Sequence, residues 1–147
     1  MGTKYNGTVE EVAALDVFIK LMRAANSVMG RVDSQLAKEG LTASQFGTLE
    51  SLYHLGPLCQ RDLGRKLLKS GGNITVVIDN LEKRGLVRRE RDTEDRRFIT
   101  VHLTESGQAL IREVFPRQLA RIVERMAALT DTEKIELGAL CRKLGLA

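Results

Sequence analysis

The residues best suited to a binding task form a charged loop at positions 91–97, with the sequence Arg-Asp-Thr-Glu-Asp-Arg-Arg. Guanidinium groups bind phosphate oxygens, and they enter the narrow minor groove of A·T-rich DNA, where the electrostatic potential is most negative. A carboxylate is repelled by phosphate, so Asp95 is better suited to orienting Arg96 or Arg97 through a charge-assisted hydrogen bond. Taken alone, such a run of charges is also compatible with a solvated turn.

A group of small, mostly polar residues lies upstream of that loop, namely Ser70, Gly72, Asn73 and Thr75, with Val76 beside them. An Asn side chain pairs with adenine, and a Thr side chain donates, accepts or touches a thymine methyl group. Small side chains also permit a close approach to the floor of the major groove. Because Ser70 and Asn73 are equally suited to capping a helix, base contact and capping both remain open for them.

The distribution of charge agrees with a surface that binds nucleic acid. The chain has 147 residues and a formal net charge of +4. Residues 59–103 contain 11 of the 23 basic and 7 of the 19 acidic side chains, and therefore carry the whole positive excess. A local basic excess of this kind is what a phosphate-contacting surface requires.

Composition and motif content exclude several classes of protein. The chain is 43% hydrophobic and 29% charged, as in a folded globular protein rather than a disordered one. Its two cysteines form neither a disulfide framework nor a zinc pattern, so we expect no metal and a reducing cytoplasm. No apolar stretch reaches the ~18 residues of a membrane span, and no signal peptide is evident. Walker, nucleophile-elbow and dinucleotide-binding motifs are absent, so we expect neither an enzyme nor a cofactor.

Capping patterns predict where the helices begin. Thr8, Thr42 and Thr130 are each followed three residues later by Glu or Gln, which is the capping-box pattern, and Thr104 precedes a further apolar helical stripe. Glycines at several stripe ends predict the stops. The predicted helices run over about 8–40, 42–56 and 58–68, then from a cap at Ser70 or Asn73 to Gly85, and then over 104–129 and 130–145.

The spacing of apolar residues changes between the fourth and fifth helices. Residues 86–91 and 98–103 alternate with a period of two around the charged loop, which predicts a β-hairpin. A short helix, a tight turn, a second helix and a basic hairpin together predict a winged helix-turn-helix. The fold class is therefore mainly α with a small β-hairpin wing.

The length of the terminal helices predicts a second chain. A helix of about thirty residues is rarely covered by one small domain, so its ends are expected to pack on a partner. We divide the chain into an N-terminal dimerisation helix at 1–40, a winged helix-turn-helix DNA-binding domain at 41–104, and C-terminal dimerisation helices at 105–147.

Three segments resemble the MarR family of transcription regulators. Residues 95–104 resemble its wing signature D-x-R-x-x-x-V-x-L-T, residues 73–87 resemble its recognition helix, and Glu-Ser-Gly at 105–107 resembles the start of its next helix. The resemblance extends over about residues 8–145. It implies a homodimer with interleaved terminal helices that binds pseudo-palindromic double-stranded DNA. It also implies a regulator, often a repressor, that is released by small phenolic ligands or by cysteine oxidation.

The resemblance also implies roles for individual residues. It places Arg97, and with it Arg96, in the minor groove, with Asp95 as the orienting group. Thr75 occupies a frequent base-contact position. Val76 departs from the family, because many members have Arg there, and contact with a thymine methyl group is a substitute hypothesis. We further expect phosphate contacts from Gln60, Arg61 and Lys69.

Weaker signals leave alternatives open. Met22, Phe46, Tyr53 and His54 could line an effector cavity for a small aromatic molecule, although ordinary core packing explains them as well. Cys59 lies near Arg61 at a helix start, where a thiolate is stabilised, so a redox sensor is one alternative and a small buried residue the other. A winged-helix module that binds protein is the remaining rival. It would place apolar residues on the outward helix face and would lack an arginine-tipped wing.

Overall fold

The computed structural model describes residues 2–67 and 71–145. This part of the chain forms six helices and a small sheet. The elements are α1 (Val9–Lys38), α2 (Ala43–Leu55), β1 (Leu58–Cys59), α3 (Gln60–Lys66), α4 (Gly71–Lys83), β2 (Val87–Arg91), β3 (Ile99–Leu103), α5 (Glu105–Met126) and α6 (Asp131–Gly145). The mainly helical winged fold predicted from the sequence is confirmed.

The predicted capping residues start four of these helices. The Thr8 hydroxyl accepts from the Glu11 N–H, and the Glu11 carboxylate accepts from the Thr8 N–H. Thr42 and Thr130 make the same reciprocal pair of bonds with the residues three positions later. The Thr104 hydroxyl accepts from the Gly107 N–H at 3.1 Å. Each cap satisfies backbone donors that the first turn of a helix leaves unpaired.

The sheet differs from the prediction in one respect. It has three strands in the order β1-β3-β2, because Leu58–Cys59 is a short strand and not the start of a helix. Leu58 pairs with Val101 in the antiparallel ladder. A strand of two residues is too short to show a period of two, so the apolar run was wrongly assigned to α3. That helix begins only at Gln60.

The predicted turn before the fourth helix also needs correction. Helix α4 begins at Gly71, so Asn73 lies inside its first turn and is not the residue that precedes the helix. The sequence Gly-Gly-Asn therefore adopts helical geometry despite the low helix propensity of glycine. Two residues with expected roles lie outside the described residues. They are Lys69, expected to contact phosphate, and Ser70, expected either to contact bases or to cap the helix.

One apolar core lies between α4, the sheet and the other helices that pack on them. Ten of its members are at most 2% exposed, and they are Leu36, Leu49, Leu63, Ile74, Ile78, Leu81, Val87, Val101, Ile111 and Val114. Of these, Ile74, Ile78 and Leu81 form the inward stripe of α4. This stripe fixes which face of α4 points outward.

The C-terminal end of α4 is joined to both long helices. Gly85 ends α4 with a φ of 72°, a value that favours glycine. The Thr104 hydroxyl donates to the Gly85 carbonyl at 2.6 Å, and the Arg84 guanidinium donates to the Gly40 carbonyl at 2.7 Å. A Cβ atom on Gly107 would overlap the Leu86 carbonyl oxygen, so α5 starts in direct contact with the chain that leaves α4.

The outer parts of the terminal helices have apolar side chains that are exposed to solvent. No described residue of α6 is buried, and its exposed apolar residues include Ile135, Leu137, Leu140 and Leu144. Exposed apolar residues continue on α1 at Val17 and Phe18, and on α5 at Leu119, Ile122 and Val123. Helix α5 is continuous through Pro116. In the described ranges, no helix is long and apolar enough to cross a membrane.

Candidate nucleic-acid interface

Helix α4 presents a small, exposed face beside the basic wing. Because Ile74 and Ile78 point into the core, Gly72, Asn73, Thr75 and Val76 are left on the outside. Val76 is 57% exposed, although it is apolar. The four residues expected to face DNA in this part of the chain therefore lie together on one accessible surface at the N-terminal half of α4.

The wing tip holds one arginine in a fixed orientation. The Arg97 Nε donates to Asp95 Oδ1 at 3.0 Å and its Nη2 donates to Asp95 Oδ2 at 2.9 Å. The Arg97 side chain remains 88% exposed. Hydrogen bonds from the Arg97 side chain and backbone hold the pKa of Asp95 below its ordinary value, and the same carboxylate raises the pKa of Arg97. The carboxylate thus orients a fully charged guanidinium toward solvent.

The backbone of the wing tip is ordered by its own polar groups. The Asp92 carboxylate accepts from the N–H groups of Glu94 and Asp95 at 2.8 and 2.9 Å. Arg91 donates to the carbonyl oxygen of Arg96 at 2.7 Å, while the Arg96 side chain is exposed. Arg96 is therefore accessible, and it is Arg97 that makes the side-chain bonds to Asp95.

A cleft of about 530 Å³ separates the wing from α3 and α4. Three cations line it, Arg61 and Arg65 from α3 and Arg97 from the wing. The Arg61 guanidinium lies 5.5 Å from the centroid of the Phe98 ring, which is cation–π geometry. The cleft has the charge needed for a phosphate backbone.

Gln60 is half-buried, lines the cleft and is bonded to protein partners through its side-chain amide. Its Nε2 donates to the Thr75 hydroxyl at 3.0 Å, and its Oε1 accepts from Arg89 Nε at 3.0 Å. Both ends of the amide are thus engaged within the protein. The sequence did not single out Arg89, because its partners lie far away along the chain.

The structure brings together three of the four residues that were expected to line an effector cavity. Phe46 and His54 both contact the ring of Phe115, with centroid distances of 6.4 and 4.6 Å, and Tyr53 contacts His54. Met22 is on α1 and largely exposed. A cavity of about 350 Å³ has a different lining, formed by α1 and the C-terminal part of α5 with residues such as Val28, Arg31, Arg121, Ile122 and Arg125.

The cysteines are placed separately. Cys59 is half-buried, precedes α3, makes no capping hydrogen bond through its side chain and lines the cleft beside Arg61. Cys141 is exposed on α6. Within residues 2–67 and 71–145, no cluster of His, Cys, Asp or Glu is arranged to hold a metal ion.

The arrangement of an exposed helix face, a cationic cleft and an arginine-tipped wing defines a winged helix-turn-helix protein of the DNA-binding type. The sequence model described as the MarR family matches residues 41–99. The regulator MhqR of Bacillus subtilis is 34% identical to this chain, with 90% of this chain and 92% of MhqR covered. The chain therefore belongs to the MarR family of transcription regulators.

Two further proteins show the extent of the similarity. The transcriptional repressor MprA of Escherichia coli is 40% identical, over 84% of this chain and 71% of MprA. The solved structure of BpsR from Bordetella bronchiseptica, whose DNA binding is regulated by 6-hydroxynicotinic acid, is 28% identical. It matches with a TM-score of 0.78 and covers 88% of this chain and 98% of BpsR.

Proposed function

We propose that this chain is a homodimeric repressor that binds a pseudo-palindromic operator and regulates transcription rather than catalysing a reaction. The observation that carries the proposal is the wing tip, where Asp95 orients an Arg97 side chain that is 88% exposed. An exposed guanidinium beside a groove-sized helix is suited to the minor groove that flanks the recognition site. Such a protein would act in the cytoplasm, where a bacterial chromosome lies.

The interface residues would contact different parts of the DNA according to their position. Gly72, Asn73, Thr75 and Val76 would read base edges in the major groove, with the exposed Val76 methyl groups against a thymine methyl. Arg61 and Lys69 would contact phosphates, as would Arg65 in the cleft. Gln60 would act indirectly, since its amide is already bonded to protein partners.

Dimerisation would use the uncovered apolar residues of the terminal helices. No described residue of α6 is buried, which suits a helix that packs on a second chain. The division of the chain at about residues 40 and 104 follows from this role. A two-fold axis would set the two α4 helices about one turn of DNA apart, ~34 Å.

The cavity between α1 and α5 suits a small aromatic carboxylate as the effector. Its volume of about 350 Å³ lies in the range of small-molecule sites, and its lining combines Val28 and Ile122 with Arg31, Arg121 and Arg125. BpsR, which is regulated by a hydroxylated aromatic acid, is a precedent within the similar proteins. The aromatic group of Phe46, Tyr53 and His54 remains the alternative site. Release would require that the ligand binds the two dimer geometries with different affinities.

An electrophoretic mobility shift with the DNA upstream of the chain's own gene tests the proposal. We expect binding that weakens steeply between 50 and 200 mM salt, as phosphate contacts require. Arg97→Ala should weaken binding to all duplexes and lower the salt slope by about one. Arg88→Ala is the control, since that wing arginine lies on β2, away from the wing tip, and its guanidinium pairs with Glu90. Equal binding by the Arg97→Ala variant and the wild-type chain would contradict the wing assignment. Addition of 6-hydroxynicotinic acid to the same assay tests release.

A further inference from the structure

In the winged region, residues 41–104, the Arg89 side chain makes polar contacts with four residues of α3 and α4. It lies in the middle of β2 and is only 21% exposed. Its Nη1 is 2.6 Å from Asp79 Oδ1 and 3.5 Å from Glu82 Oε1. Its Nη2 donates to the Thr75 carbonyl at 3.2 Å. Its Nε donates to Gln60 Oε1 at 3.0 Å.

These contacts of the Arg89 side chain join three elements of the fold. Gln60 starts α3, Thr75 and Asp79 lie on successive turns of α4, and Arg89 belongs to the wing strand. The Gln60 amide links α3 directly to α4 by donating to the Thr75 hydroxyl at 3.0 Å. A second bond links the same strand and helix, because the Arg89 N–H donates to Glu82 at 3.0 Å.

The charge of Arg89 is used inside the protein. Two carboxylates, those of Asp79 and Glu82, face one guanidinium, so little positive potential is left for a phosphate. Arg88, the neighbour on the same strand, is different: its side chain is 57% exposed and pairs with Glu90. The two adjacent arginines therefore provide a half-buried residue and a matched, exposed control.

We propose that Arg89 is a positioning residue for base recognition, which fixes the orientation of α4 relative to α3 and the wing. The inference rests on the proposed DNA-binding function. Base contacts depend on geometry within fractions of an ångström, whereas non-specific phosphate binding tolerates misalignment. A planar guanidinium makes several directed bonds at once, and an ammonium group on a flexible stem cannot reproduce that pattern. Loss of the guanidinium and its bonds to α3 and α4 therefore loosens the recognition helix without removing a phosphate contact.

Arg89→Lys in the whole chain tests this role. The probes are the duplex that the wild-type chain selects from a randomised pool and a shuffled duplex of equal length and composition. We expect the preference for the selected duplex to fall about tenfold, which is the usual cost of one poorly matched base pair. Affinity for the shuffled duplex and the salt slope should not change. Arg88→Lys should retain the wild-type preference.

Several outcomes would contradict the inference. An unchanged preference in a folded Arg89→Lys chain is one. An equal loss on both duplexes with a smaller salt slope is another, because it would make Arg89 a phosphate contact. If Arg89→Lys does not fold by circular dichroism, Gln60→Met removes only the amide bridge and keeps both carboxylate pairs. That variant should lose a few-fold of the preference, and no loss would contradict the role. A wild-type chain that selects no sequence would refute the proposed function itself, and this inference with it.

Discussion

The winged region and the outer terminal helices differ in how they use their apolar residues. The apolar core residues of the winged region, from Leu41 to Val101, are buried against one another and against Leu36, Ile111 and Val114 of the long helices, and the inward stripe of α4 is covered. Helix α6 is of similar length to α4 but buries no described residue, although it has several exposed leucines. The comparison teaches that the winged region is covered by contacts within one chain, whereas the outer terminal helices leave apolar residues exposed that the proposed dimer would cover with a second chain.

The largest expected effect is from a charge on the uncovered face of α6. Leu140→Glu should abolish the dimer, because a carboxylate would be buried in an apolar interface. Loss of the second recognition helix should lower operator affinity by a factor of about 100 or more. Sedimentation equilibrium and mobility shifts measure the two effects. Arg142→Glu is the control, since it lies about 200° around the helix from Leu140. A dimeric Leu140→Glu chain would remove the contrast between the two regions.

The second prediction concerns the covered face of α4. Ile78→Ala should lower the free energy of unfolding by about 2–5 kcal/mol, because it leaves a cavity in a closely packed core. Urea denaturation at several protein concentrations measures it, and the concentration dependence that comes from the dimer should stay as in the wild type. Asn80→Ala, at an exposed position of the same helix, should change the free energy by no more than about 0.5 kcal/mol. A small effect of Ile78→Ala would mean that the winged region is also held by the partner.

The smallest expected effect is at the wing tip and depends on pH. The Arg97 hydrogen bonds hold the pKa of Asp95 below its ordinary value, so the ion pair is complete above the ordinary aspartate pKa. It is lost only as the pH falls through the lowered pKa. In Arg97→Ala, we expect the pKa of Asp95 to rise toward its ordinary value. NMR titration of the carboxyl carbon measures the shift. An identical titration in both proteins would show that the pair does not form in solution.

Local patterns predicted most of the fold. The Thr8 and Thr42 capping boxes connect residues three positions apart, and the Asp95–Arg97 pair connects residues two apart, so the sequence contains both halves of each interaction. The wing strands were also predicted, because five alternating residues are enough to show their period. These features depend on short-range physics and on a resemblance that covers nearly the whole chain.

Interactions between distant segments were not predicted. The bond between Gln60 and Arg89 spans 29 positions, and strand β1 exists only because β3 has an open edge beside it. Gln60 was expected to face phosphate, since its residue type and position on a short helix gave no sign of a partner on β2. The cavity between α1 and α5 likewise combines residues about ninety positions apart, which no periodicity reveals.

The bonds at Arg84, Gly85 and Leu86 make the C-terminal end of the recognition helix a pivot. The end of α1 is attached there through Gly40, and the start of α5 through Thr104. Any change in the separation of the two long helices would therefore turn α4 about that end. A helix of 13 residues is about 18 Å from its first to its last Cα atom, so a tilt of about 10° would displace its opposite end by roughly 3 Å. Gly72 and Asn73 lie at that far end, where a small rearrangement between the protomers is magnified most, and Val76 lies about midway along the helix.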